Sequence, residues 1–275
     1  MTQKNIQIEA LLKWAYCEEL PKSTDVGQAI ARMASGWSSM NSFAQLLTVI
    51  DDNDYGVVPD LSCESALPHP DAVIVHNAVV SLDRAELVLP DDWLPMPELA
   101  KAGQLGAAAT QAAMSGLTVI DEDGRRQLKR KASDLVRRLA IIGVAPSGVG
   151  RVPELRLRTN DTGQVRWFRR YVEHDVDCFG APVERTYEVE DGWDFSRKRA
   201  KRGAYAKQFL SPDPVPVLRE RGEYDILRAC LVMLCEELDG KLWDHAVAPC
   251  RWSVSPWDDQ EADRKRSGRR VLEAG

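Results

Sequence analysis

The sequence has no CxxC pair, no HExxH, and no Cys/His cluster at zinc-ligand spacing. The Walker A, GxGxxG, GxSxG and protein-kinase signatures are absent too. These absences remove the motif-defined metalloproteases, nucleotide-binding folds and serine hydrolases. No cofactor is expected. Only four histidines occur, and His69 and His76 stand seven apart with no Cys/His cluster accompanying them, so His69 beside Pro70 reads as a helix cap or loop residue. The six cysteines are scattered, which makes reduced thiols the expected state. Cys230 and Cys235 fall on an apolar helical pattern where small buried thiols are ordinary. The first twenty residues break their apolar runs with Lys13, Glu18 and Glu19, and read as neither signal peptide nor membrane span. The expectation is a soluble cytoplasmic protein with no membrane partner.

What is present is ordinary globular material with an uneven charge. Of 275 residues, 44% are hydrophobic and 28% charged, enough apolar content for a core. The formal net charge is -6, but residues 1–120 carry 6 Lys/Arg against 15 Asp/Glu. Residues 121–210 reverse this with 20 against 14. All 20 of those bases lie between Arg125 and Lys207, opposed there by 11 acids, a local excess of about nine positive charges in an acidic chain.

Hydrophobic periodicity predicts helices over residues 6–20, 24–35, 38–50, 70–82 and 98–115, then a strong one over 124–142. In the last, Leu128, Ala132, Leu135, Val136, Leu139 and Ile142 form an apolar stripe, and arginines and lysines crowd the remaining face. The period then shortens to two. Residues 154–159, 165–177 and 183–189 alternate, with turns at NDTGQ and FGAP, and predict a three-stranded antiparallel meander. Residues 191–216 look irregular, SPDPVP reads as a rigid, capped start to a helix over 217–238, and the chain from Ala248 on reads as a flexible tail. The fold class expected is α+β, mainly helical with a small antiparallel β-meander. The regions expected are a helical one over 1–95, then the basic helix, meander and last helix over 96–247, then the tail over 248–275.

Phosphate binding needs cations gathered on one surface, and aromatic rings between arginines can stack bases. The candidate nucleic-acid contacts are therefore Arg125, Arg126, Lys129, Arg130, Arg137 and Arg138 on the helix. Trp167, Arg169 and Arg170 join them in the segment RWFRRY, with Arg197, Lys198 and Arg199 in a basic arm. A helix followed by a hairpin loosely resembles the layout of a winged helix. The competing reading is that these cations solvate a helix face, or pair with an acidic protein or with the acidic N-terminal region. A third reading starts from EHDVDC, where Glu173, Asp175 and Asp177 share one face of a strand and offer carboxylates to a divalent metal for phosphodiester cleavage.

Three segments, ALLKWAYCEELPK, RWFRRYVEHDVDCFGAPVE and GAYAKQFLSPDPVPVLRERGEYDILRA, give the chain a resemblance to uncharacterised proteins of alphaproteobacterial prophages and tailed phages. The resemblance spans most of the chain and carries no assigned site. It implies a mobile-element setting and with it a DNA-binding or transcription-regulating role. The function expected is thus a phage-type accessory protein that contacts DNA or RNA. Two alternatives stay open: a protein-interaction factor with an acidic partner, and a metal-dependent nuclease.

Overall fold

The computed structural model describes residues 3–22, 55–57, 67–85, 93–122, 124–176 and 182–258. The helices expected over 24–35 and 38–50, the carboxylate Asp177 and the last part of the tail lie outside these. In chain order the elements are β1 (Lys4–Gln7), α1 (Ile8–Trp14), α2 (Pro70–Ser81), α3 (Gln104–Leu117), β2 (Thr118–Ile120), β3 (Arg126–Leu128) and α4 (Ala132–Ile142). There follow β4 (Glu154–Leu157), β5 (Trp167–Val176), β6 (Pro182–Val189), β7 (Trp193–Asp194), β8 (Arg199–Ala200), β9 (Tyr205–Ala206), β10 (Gln208–Ser211), α5 (Val215–Leu238) and β11 (His245–Ala248). The fold is α+β, with helices and small antiparallel sheets. The chain forms two compact units, one of residues 1–95, 113–149 and 217–275, the other of residues 96–112 and 150–216.

The first unit is a helical core. Ile8, Leu11, Leu12, Ala15 and Tyr16 from the first helical segment meet Ala72, Val75 and Val79 of α2 and Leu135, Val136 and Leu139 of α4. Leu227, Leu231 and Leu234 of α5 complete it. The predicted helix over 6–20 starts two residues late, because Lys4–Gln7 pairs in parallel with His245–Ala248. That partner lies at the far end of the chain, where local periodicity cannot see it. Helix α2 follows the predicted span closely. His69 caps it, its Nδ1 accepting from Asp71 N at 3.1 Å. Asp71 is fully buried and accepts from Trp243 N, Asp244 N and His245 Nδ1 at 2.7, 3.1 and 2.8 Å. Burial works against its charged form. The hydrogen bonds outweigh that and hold its pKa below the usual carboxylate value.

Ahead of α4 the structure departs from expectation. Residues 124–131 are not helical; Arg126–Leu128 pairs antiparallel with Thr118–Ile120 in a short hairpin. Gly124 turns it at φ +78, and Asp121 Oδ1 accepts from Arg125 N at 2.7 Å. Helix α4 begins only at Ala132, where Asp83 takes Ser133 N and Ser133 Oγ at 2.9 and 2.8 Å. Leu128 continued the helical stripe in sequence, but it serves the hairpin. Part of the expected tail is also ordered: Trp252 stacks on Tyr224 with centroids 4.8 Å apart, and Trp257 is buried.

The second unit is the sheet region. β5 and β6 form the predicted hairpin, paired from Arg169↔Val189 to Val176↔Pro182. The first strand of the expected meander departs from it: β4 pairs with β10, and the chain between β4 and β5 closes through the Thr159↔Val165 bridge. The supposedly irregular residues 191–216 supply β7 to β10. Short strands of two to four residues are too brief to show an alternating pattern. Asp213 Oδ1 accepts from Val215 N at 3.1 Å, the cap expected of SPDPVP.

Candidate nucleic-acid interface

The twelve sequence candidates fall into both units. Arg125, Arg126, Lys129, Arg130, Arg137 and Arg138 belong to the first, and Trp167, Arg169, Arg170, Arg197, Lys198 and Arg199 to the second. The winged-helix layout is not what links them. The hairpin sharing a unit with α4 precedes that helix, and the strands that follow it belong to the other unit.

In the sheet the arginines have carboxylate partners. The alternation of β5 sends Arg169 and Tyr171 to one face and Phe168 and Arg170 to the other. On the first face Asp191 is the hub. It takes Arg169 Nε at 3.1 Å and the Tyr171 hydroxyl at 2.8 Å, with Lys201 Nζ at 3.8 Å. On the second face Glu188 takes the Tyr205 hydroxyl, Lys207 and, at 3.8 Å, Arg170. Arg166 pairs with Glu190. The hydrogen bonds from Arg169 and Tyr171 push the Asp191 carboxyl far below its ordinary value, and those from Lys207 and Tyr205 lower Glu188. The segment YEVED (187–191) thus pairs with RWFRRY from within the same unit. Arg197 lies 4.0 Å from Asp194 at the β7–β8 hairpin, whereas Lys198 and Arg199 have no ion-pair partner among the described residues.

In the first unit the picture differs between helix and hairpin. Arg137 lies 3.4 Å from Asp134 and Arg138 3.7 Å from Glu223. Arg125, Arg126, Lys129 and Arg130 are exposed and have no ion-pair partner among the described residues; Lys129 Nζ donates only to Ser115 O. A groove of about 440 Å³ runs between the β3 strand and the end of α2, and Arg84, Arg125, Arg126 and Lys131 all line it. Arg84, a lone base in an acidic stretch, gave no signal in the sequence. It reaches the groove because neighbouring Asp83 is fastened to the start of α4. Six cations (Arg84, Arg125, Arg126, Lys129, Arg130, Lys131) stand beside four carboxylates (Asp83, Asp121, Glu122, Asp123), with Asp134, which lies 3.4 Å from Arg137, and Glu86, outside the described residues, also within four positions in sequence. Two of the four are turned onto the protein itself: Asp83 onto Ser133, and Asp121 onto Arg125 N and Gln127 Nε2. Asp123 lies outside the described residues.

The metal reading finds little here. Glu173 and Asp175 are exposed on β5, and Arg185 of β6 approaches Asp175 at 4.0 Å. Among the described residues no group of three or more His, Cys, Asp or Glu could hold a metal ion. SGVG (147–150) is not a phosphate loop, since Ser147 Oγ and Gly148 N already donate to Glu220. Among the described residues no helix is long and apolar enough to cross a membrane. Cys17, Cys230, Cys235 and Cys250 are free thiols, and burial pushes Cys230 and Cys235 up to about 11. Comparison with protein families, curated proteins and solved structures returns no match.

Proposed function

We propose that this protein binds nucleic acid through the phosphate backbone, using the β2–β3 hairpin and the groove beside it. The observation that carries this reading is the contrast in pairing. The arginines of RWFRRY face carboxylates within hydrogen-bond or ion-pair distance, whereas Arg84, Arg125, Arg126, Lys129, Arg130 and Lys131 have no ion-pair partner among the described residues. Duplex phosphates recur at a spacing that a short ribbon of cations can follow, and each neutralised phosphate releases counterions. Asp83 and Gln127, polar side chains of the groove lining, already bond to Ser133 and Asp121, so the contact is sequence-independent at this surface. The resemblance to phage proteins supports an accessory role for that contact, with transcriptional regulation as the specific form.

The decisive variant is the triple reversal Arg125→Glu, Arg126→Glu, Arg130→Glu, compared with the charge-conserving pair removal Arg169→Gln, Asp191→Asn. In an electrophoretic shift of mixed-sequence duplex DNA at low salt, the reversal is expected to weaken binding by about a hundredfold or more. The pair removal should leave it within about threefold, the scale of an exposed ion pair. Equal loss in both variants, or no shift by the native protein, defeats the proposal. A protein partner at the same groove would instead show as no DNA shift together with reversal-sensitive binding to an acidic polypeptide such as polyglutamate.

A further inference from the structure

The second unit holds a cavity of about 490 Å³ that plays no part in the reading above. Its aromatic wall comes from Trp167 on β5 and Trp193 on β7, whose rings stack with centroids 6.2 Å apart and planes 27° from parallel. Gly192 makes that approach close. Its N donates to Trp167 O at 3.0 Å, and a Cβ there would come within 2.9 Å of Trp167 and Ala204. Phe195 stands at the edge of the same cavity, 80% exposed, a large apolar ring left in water by the folded unit.

We propose that this cavity is a binding site for a neutral pyranose sugar. The lining has one cation, Arg166, and it is already paired with Glu190; Asp191 adds a second carboxylate. The lining therefore totals -1 and offers no free positive charge, which rejects phosphates and with them a nucleotide strand. Stacked on each other with planes 27° apart, the tryptophans present an indole face to the cavity and not the crossed walls that enclose a cationic group. A sugar ring suits such a face, because its axial C–H bonds point into the indole while its equatorial hydroxyls radiate outward. Around the rings stand planar polar groups, the Arg166–Glu190 pair and the Gln164 amide, which present a donor and an acceptor side by side. Neighbouring hydroxyls of a pyranose each donate and accept, and match such pairs. The proposal is independent of the nucleic-acid reading, and either can fail alone.

The test is saturation-transfer NMR on the full chain with the methyl pyranosides of glucose, galactose, mannose and N-acetylglucosamine, beside adenosine and thymidine. At least one pyranoside is expected to receive saturation and neither nucleoside to do so. Trp193→Ala should weaken that sugar by about tenfold, on the scale of one aromatic contact. Phe195→Ala removes a side chain the fold does not bury, so it checks the site without the risk of unfolding; it should weaken the sugar severalfold. Trp243→Ala, an exposed tryptophan of the other unit, should leave the affinity unchanged. Saturation of no pyranoside at millimolar concentration, binding that survives both cavity variants, or a nucleoside that binds where no sugar does overturns the proposal.

Discussion

The buried carboxylate of Asp71 joins parts of the chain that are far apart in sequence. It sits in the first turn of α2 and accepts from two backbone amides and a histidine in the segment that leads into β11. That segment holds the parallel pairing of β1 with β11, so one side chain fixes where the chain's two described ends meet. Removing it leaves part-buried donors without an acceptor. Asp71→Ala is expected to cost about 2–4 kcal/mol in urea unfolding, and Asp71→Asn less, because an amide oxygen still accepts. The folded pKa lies below the ordinary 3.8, so the contribution is present above that value and fades as pH falls through the folded one. In the Asp71→Asn variant the acid side of the stability profile should accordingly be flatter than in the native protein. A native-like acid slope would show that Asp71 is not the group responsible.

At the scale of elements, the segments around α4 and β5 show what pattern reading captures. The stripe Leu135, Val136 and Leu139 marked a helix and its inward face, and the alternation in RWFRRY marked a strand. Both rest on side-chain periodicity, a local property. The start of α4 was misplaced because Leu128 and Ala132 happen to keep a helical spacing across a turn. The hairpin before that turn is set by Gly124 and Asp121, and the helix start by a cap that arrives from Asp83, about fifty residues upstream. The candidate site was legible to the same degree. Arg125, Arg126, Lys129 and Arg130 were visible as a charge run. Their freedom, the pairing of Arg169 and Arg170, and the arrival of Arg84 depend on which strands meet. The β5–β6 register places YEVED against RWFRRY, and this has a consequence for binding. Replacing both hubs, as Glu188→Gln with Asp191→Asn, should release Arg169, Arg170, Lys201 and Lys207. DNA affinity at low salt is then expected to rise by about tenfold or more, measured by fluorescence anisotropy. Unchanged affinity would mean that those cations do not face a surface that DNA can reach.

For the whole molecule, total charge is a poor guide to partners. A net of -6 conceals one unit whose RWFRRY arginines are paired with carboxylates and another whose hairpin cations have no ion-pair partner among the described residues. The first arrangement resembles a structural ion-pair network, worth little per pair at an exposed surface. The second leaves its cations available. The distinction can be counted, because the slope of log affinity against log salt reports the number of phosphates neutralised. The most direct measurement is therefore that slope, taken by anisotropy with a fluorescent mixed-sequence duplex between about 50 and 200 mM KCl. The account predicts a slope near -4 to -5 for the native protein, corresponding to roughly five phosphate contacts. It predicts a slope shallower by about three on reversing Arg125, Arg126 and Arg130. A native slope near zero, or one that the triple reversal leaves unchanged, contradicts it.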